Sequence, residues 1–262
     1  HDGKAHWQLW RTENGGDRWD KVYEWAEDQF PRPETDNCYF FADRNYGYIP
    51  AVNGLPGGGA PLDTGILSTS NGGSSWTYTR LDNPYDDDGQ TWQGWAHARV
   101  FGAIAPDRVI AGGSSERYQG AGVVQTGYVV WETADAGNSW VAKLFGSSGS
   151  ENMVTGLGAD PSGRAIAFIT DYVVGAEPHL RAWRDPATGN WSTAVSNFYV
   201  NSGTHSTRYV PMLESKAWAP ARDGIRVTQD GGATWSAPIS AQADNVDYAD
   251  EKVAWRQSGT DV

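Results

Sequence analysis

Thr133-Ala134-Asp135-Ala136-Gly137-Asn138-Ser139-Trp140 is one of five versions of a single eight-residue stretch in this 262-residue chain. The others are Thr12 to Trp19 (TENGGDRW), Thr69 to Trp76 (TSNGGSSW), a worn copy from Arg184 to Trp191 (RDPATGNW) and Thr228 to Trp235 (TQDGGATW). Their tryptophans stand 57, 64, 51 and 44 residues apart, the range in which a repeat is one four-stranded blade of a β-propeller. Each copy follows a short strand-like run, such as His6 to Arg11 or Gly127 to Glu132, and precedes another, so it reads as a hairpin connection. The Asp or Asn side chain can accept hydrogen bonds from turn N–H groups, and glycine supplies positive φ at little steric cost. The closing Trp is expected to fold back over the turn and cover it with apolar surface.

The pattern Thr-x-Asp/Asn-x-Gly-x-Ser/Thr-Trp resembles the Asp box of the bacterial neuraminidase-repeat proteins, which include sialidases, other glycosidases and several non-enzymatic propellers. Three copies fit closely, Arg18 replaces the hydroxyl residue in the first, and Asp185 is followed by a proline in the fourth. The resemblance implies an all-β propeller, and it says less about activity, because function resides in sites grafted onto a fold. Sialidases carry an Arg-Ile-Pro segment whose Arg helps to clamp the substrate carboxylate. Here the matching stretch is Tyr46-Gly47-Tyr48-Ile49-Pro50, with Tyr48 where that Arg would stand. The resemblance therefore implies a box-repeat protein handling some other glycan.

Around the boxes, strands are expected over Cys38 to Asp43 and Tyr48 to Val52, His97 to Ile104 and Arg108 to Gly112, Met153 to Ala159 and Arg164 to Ile169, and Thr207 to Leu213 and Lys216 to Ala219. The chain opens on what would be the third strand of a blade. Its missing first two strands are supplied by Asn245 to Ala249 and Lys252 to Arg256. The expectation is one domain over residues 1–262, a propeller of five antiparallel blades closed by N- and C-terminal strands, with six blades as the alternative.

Composition narrows the function classes. A net charge of -12 and the absence of a basic stripe argue against nucleic acid, and no run is long and apolar enough for a transmembrane helix. The first residues carry no charged-then-apolar signal segment; the family resemblance points to an extracellular location all the same. The lone Cys38 allows no internal disulfide and reads as a small strand residue. No cofactor is expected, and a monomer is.

Box turns and first-to-second-strand turns share one face of such a ring, leaving the long segments for the opposite face, where sites on rigid scaffolds usually collect. The richest is Asp82 to Arg99, with Asp86-Asp87-Asp88, Trp92, Trp95, His97 and Arg99. Its aromatics suit sugar stacking, its Arg suits bidentate contacts, and Asp86 to Asp88 is a weak calcium candidate without helix-loop spacing. A second cluster, Ser114 to Tyr118, is read as a glycine-rich loop bearing Glu116 and Arg117. A third is His205 to Tyr209, with His205, Arg208 and Tyr209. Asp87, His97, Glu116 and His205 are the catalytic candidates, and Trp92, Trp95, Arg99, Arg117, Arg208 and Tyr209 the substrate-binding ones, with no metal ligands. Paired carboxylates such as Asp87 and Glu116 would suit a glycoside hydrolase. His with Tyr, and Arg against a uronate, would suit a polysaccharide lyase. Non-catalytic glycan binding and protein binding are the alternatives.

Overall fold

The computed structural model describes residues 6–14, 16–26, 29–34, 39–54, 63–84, 93–119, 122–146, 152–171, 180–195, 210–211, 216–221, 224–230, 233–237, 245–250 and 253–257. The chain starts with a hairpin, β1 (His6–Arg11) and β2 (Asp20–Ala26). The next sheet has a split first strand, β3 (Arg32–Pro33) and β4 (Phe40–Phe41), both paired with β5 (Gly47–Asn53), followed by β6 (Asp63–Thr69) and β7 (Thr77–Arg80). Two complete four-stranded sheets follow: β8 (Gln93–Ala105), β9 (Arg108–Gln119), β10 (Gly122–Glu132) and β11 (Val141–Gly146), then β12 (Asn152–Ala159), β13 (Ala165–Asp171), β14 (Leu180–Arg184) and β15 (Trp191–Val195). A three-stranded sheet contains β16 (Val210–Pro211), β17 (Ala217–Ala221) and β18 (Gly224–Thr228), and a final hairpin pairs β19 (Asn245–Asp250) with β20 (Val253–Gln257). Every pairing is antiparallel and, except for β3 with β5, joins neighbours in sequence, and no helix is long and apolar enough to cross a membrane among the described residues.

The apolar runs explain why the sheets stack side by side. In β10 the alternation of a strand sends Val129 and Trp131 to one side and Tyr128 and Val130 to the other, and all four are buried. The first pair joins a core with Tyr48 and Ile66 of the preceding sheet; the second joins a core with Val154 and Ala167 of the following one. A third core sets Trp7, Leu9 and Trp25 of the first hairpin against Ile49 and Leu67. A sheet buried on both faces needs apolar residues at successive positions, and each such side chain contributes about 1.5–3 kcal/mol. First strands lie beside first strands: β12 against β8, β16 against β12, and β19 against β16. This radial stack of antiparallel sheets is a β-propeller. The terminal hairpins β1–β2 and β19–β20 remain separate two-stranded sheets among the described residues.

Four of the five turns have the expected threonine-to-Asp/Asn bond. In the third, Thr133 Oγ1 donates to Asp135 Oδ1 (2.8 Å), Gly137 N donates back to Thr133 Oγ1 (2.9 Å), and Ser139 N donates to Asp135 Oδ1 (2.9 Å). The same bonds recur in the second through Thr69, Asn71, Gly73 and Ser75, and in the first through Thr12, Asn14, Gly16 and Arg18. The fourth differs: Asp185 Oδ1 takes Ala187 N at 2.8 Å, a shorter closure that follows from the proline after it and from Arg184 in place of the threonine.

Four of the five box tryptophans do more than cover their own turns, since they also reach the preceding blade. Trp76 does donate to Gly73 O of its own turn (3.0 Å), yet its ring meets Trp25 of the preceding hairpin at 5.7 Å. Trp140 meets Tyr48 edge-on at 5.9 Å, and Trp235 meets Phe168 at 5.6 Å. Trp191 donates to Glu132 Oε1 of the preceding blade (2.7 Å), and Glu132 is itself gripped by Arg184 at 2.9 and 3.2 Å. Ala136 N donates to Asp107 O, and Gly72 N to Asn45 O, which places box turns and first-to-second-strand turns on one face.

Candidate functional site

The blade from β8 to β11 is taller than its neighbours. Of the segments expected as loops, 113–126 is strand over residues 113–119 and 122–126, and 82–96 is strand from Gln93 onward. Gln93 pairs with Tyr118, Trp95 with Glu116 and His97 with Ser114, while β9 and β10 stay paired up to Gln119 and Gly122. The Ser114 to Tyr118 cluster is therefore part of β9, and His97 lies within β8 instead of at its start. Two glycines of β9 are there for lack of room. A Cβ on Gly112 would strike Val154 of the next blade at 2.6 Å, and one on Gly113 would collide with the His97 carbonyl. Glycine inside a strand here marks close backbone approach.

His97 finds a partner that sequence reasoning missed. Its Nδ1 lies 2.6 Å from Glu34 Oε1, and the two side chains are only 17% and 16% exposed. Glu34 extends the split innermost strand of the preceding blade, its N donating to Pro50 O at 2.8 Å. The pair thus joins the innermost strands of two adjacent blades, on the part of β8 remote from the box-side turn at Pro106-Asp107. With the carboxylate on Nδ1, the neutral imidazole carries its proton there and its lone pair on Nε2; protonated, the pair is an ion pair. Either state equips the site to exchange a proton. The only hint in the sequence was that Glu34 falls in a long segment of the loop face.

A buried polar brace stands beside the pair. Ser115 Oγ donates to Asn83 Oδ1 at 2.5 Å, Asn83 Nδ2 reaches the Glu116 carbonyl at 3.5 Å, and Trp131 Nε1 donates to Asp82 O at 2.7 Å. Ala96 N, on the open edge of β8, donates to Thr64 Oγ1 of the preceding blade at 3.0 Å. Ser115 is fully buried, so these bonds fix the root of the 82–99 segment against β8 and β9. Arg99 sits at a break in register between Ala98 and Val100, a bulge of the kind that re-aims a side chain.

Of the expected site residues, His97, Arg99 and Glu116 belong to this one blade, with Trp95 and Arg117 placed there by their strand positions. Asp87, Trp92, His205, Arg208 and Tyr209 lie outside the described residues, as do Asp86, Asp88 and Cys38. Among the described residues, no three His, Cys, Asp or Glu side chains gather as a metal-binding group.

No protein-family model matches this sequence, and no curated protein does. Solved structures do. An α-L-arabinofuranosidase from Fusarium graminearum, in complex with an iminosugar inhibitor, is 14% identical over 90% of this chain and 74% of its own, with a TM-score of 0.50. An α-L-arabinanase from Penicillium chrysogenum is 12% identical over 90% of this chain and 73% of its own (TM-score 0.49). An intramolecular trans-sialidase from Ruminococcus gnavus is 12% identical over 76% and 69% (TM-score 0.47). At such identities the likeness is one of fold, and the fold is the all-β propeller built above.

Proposed function

We propose that this chain is a secreted, monomeric Asp-box propeller of five blades that degrades an oligo- or polysaccharide, without a cofactor, on the face opposite the box turns. The observation that carries this reading is the His97–Glu34 pair. It is mostly buried, it bridges two innermost strands, and it lies away from the box side, where Glu132–Arg184 serves as an inter-blade tie. Breaking a glycosidic bond needs a proton delivered to the leaving oxygen or taken from water or a ring carbon, and a carboxylate-held imidazole can do either. Glu116 and Arg99 on the same blade would bind the sugar. The likeness to glycosidases in fold agrees with this reading and by itself assigns no activity.

The test is a polysaccharide panel read both for new reducing ends and for absorbance of unsaturated products, which separates hydrolysis from elimination. His97→Ala should lower turnover by about 100-fold or more with its melting temperature kept, and Glu34→Gln by roughly 10-fold. Glycan binding without cleavage would make the protein a lectin. Parent-like turnover in both variants would remove the pair from the chemistry.

A further inference from the structure

Arg32, at the end of β3 and two residues before Glu34, has a setting unlike that of the arginines paired with acids. Its guanidinium carbon lies 4.5 Å from the centroid of the Trp7 ring and 5.3 Å from that of Phe30. Its Nε is buried and donates to no acceptor, and no carboxylate pairs with it among the described residues. Three other arginines find acids, Arg11 meeting Glu13 at 2.9 Å, Arg18 meeting Asp20 at 2.7 Å and Arg184 meeting Glu132 at 2.9 Å, whereas Arg181, 5.1 Å from the centroid of the Trp183 ring, donates to the Asp230 carbonyl.

Two aromatic faces hold a guanidinium in a fixed plane and satisfy its faces, but they accept none of its five in-plane N–H bonds. Holding a cation partly out of water without a counter-charge is unfavourable unless another group completes it. A planar fork fixed in this way is suited to a bidentate oxyanion. We infer that Arg32 is an oxyanion-binding group for the acidic substituent of a sugar, a uronate carboxylate or a sulfate ester. The assignment of a sugar rests on the function proposed above; the oxyanion site rests on Arg32 alone. The neighbouring indole matches the ligand, since Trp7 offers an apolar ring next to the charge that would fix the ligand's orientation.

The indole N–H signal of Trp7 in a ¹H–¹⁵N spectrum of the full chain reports on this position. Glucuronate, glucose 6-sulfate, glucose and inorganic sulfate are titrated separately, so that carboxylate and sulfate are distinguished. Glucuronate or glucose 6-sulfate should shift the signal saturably, glucose should not, and Arg32→Gln should weaken the acidic sugar at least about 10-fold. Arg32→Lys keeps the stem and the charge and loses the fork; weakened binding in this folded variant supports bidentate recognition. Acidic and neutral sugars binding alike, or unchanged affinity in Arg32→Gln, overturns the assignment. Should neutral glycans bind and be cleaved in a His97-dependent way with no preference for acid, the oxyanion site fails and the glycan reading stands. Should inorganic sulfate bind through Arg32 while no sugar binds, the oxyanion site stands and the glycan reading fails.

Discussion

The first and third box turns have the same internal hydrogen bonds and different surroundings. In both, a threonine hydroxyl and an Asp or Asn oxygen tie the loop at 2.8 to 3.0 Å. Trp140 of the third is 5% exposed and wedged on Tyr48, and the Gly137 carbonyl accepts from Thr79 of the preceding blade at 2.7 Å. Trp19 of the first is 55% exposed, and Trp10 beside it 48%. The difference shows that the repeat closes its turn by itself but stabilises the propeller only where a preceding blade receives it.

The largest expected effect follows from that contrast. Trp140→Ala should cost about 3–5 kcal/mol in denaturant unfolding, as for other buried aromatics, and Trp19→Ala less than about 1 kcal/mol. Equal costs would mean that a further blade covers Trp19, which is the outcome expected of a ring closed by β19–β20. A smaller matched pair uses the fifth box position. Gly137 has φ +85° and a Cβ there would collide with Ser68, whereas Gly16 has φ +100° and nothing within 4 Å. Gly137→Ala should cost about 2–4 kcal/mol, from overpacking plus the left-handed penalty, and Gly16→Ala about 1 kcal/mol from the backbone alone. Similar values for both would show that the seating of the third turn contributes little.

Acid should weaken the turns next. Burial alone would raise the carboxyl of Asp230, but hydrogen bonds from Thr234 and Thr228 outweigh it and bring it from 3.8 down to about 2. Asp135 is lowered by the Ser139 hydroxyl first and by backbone donors after it. A carboxyl lowered in the folded state binds protons more readily when unfolded, so its stabilisation is complete above 3.8 and is lost as pH falls toward 2. The melting temperature should fall across that window, and Asp230→Asn should flatten part of the slope; an unchanged slope would remove this turn from the acid response. The smallest effect is a gain. Ala136 has φ 61° and is the one non-glycine residue with positive φ among the described residues. Ala136→Gly should relieve its left-handed strain and stabilise by roughly 0.5–1 kcal/mol, whereas the equivalent position in the second turn is already Gly72.

Legibility in the sequence follows the range of the interactions. Thr133, Asp135, Gly137 and Ser139 complete their bonding within one turn, so their spacing alone predicts the hairpin connections and, through their period, the propeller. The two-faced apolar run of β10 is equally local. Gly113 shows the limit: it falls in a segment expected as loop, which permits glycine, whereas it lies in a strand where the His97 carbonyl leaves no room for a side chain. His97 could be named as a candidate from its segment, but its partner Glu34 stands 63 residues earlier and is brought to it only when two innermost strands align. The placement of Arg32 over the Trp7 ring likewise depends on the first hairpin packing against the next blade. The sequence by itself determined the turns and the hairpin succession of the strands, because those rest on hydrogen bonds and alternation among near neighbours. Tertiary structure alone decided which blade the wedged tryptophans meet, which carboxylate holds His97, and which ring of the first hairpin Arg32 lies over, because these depend on how independently formed sheets meet.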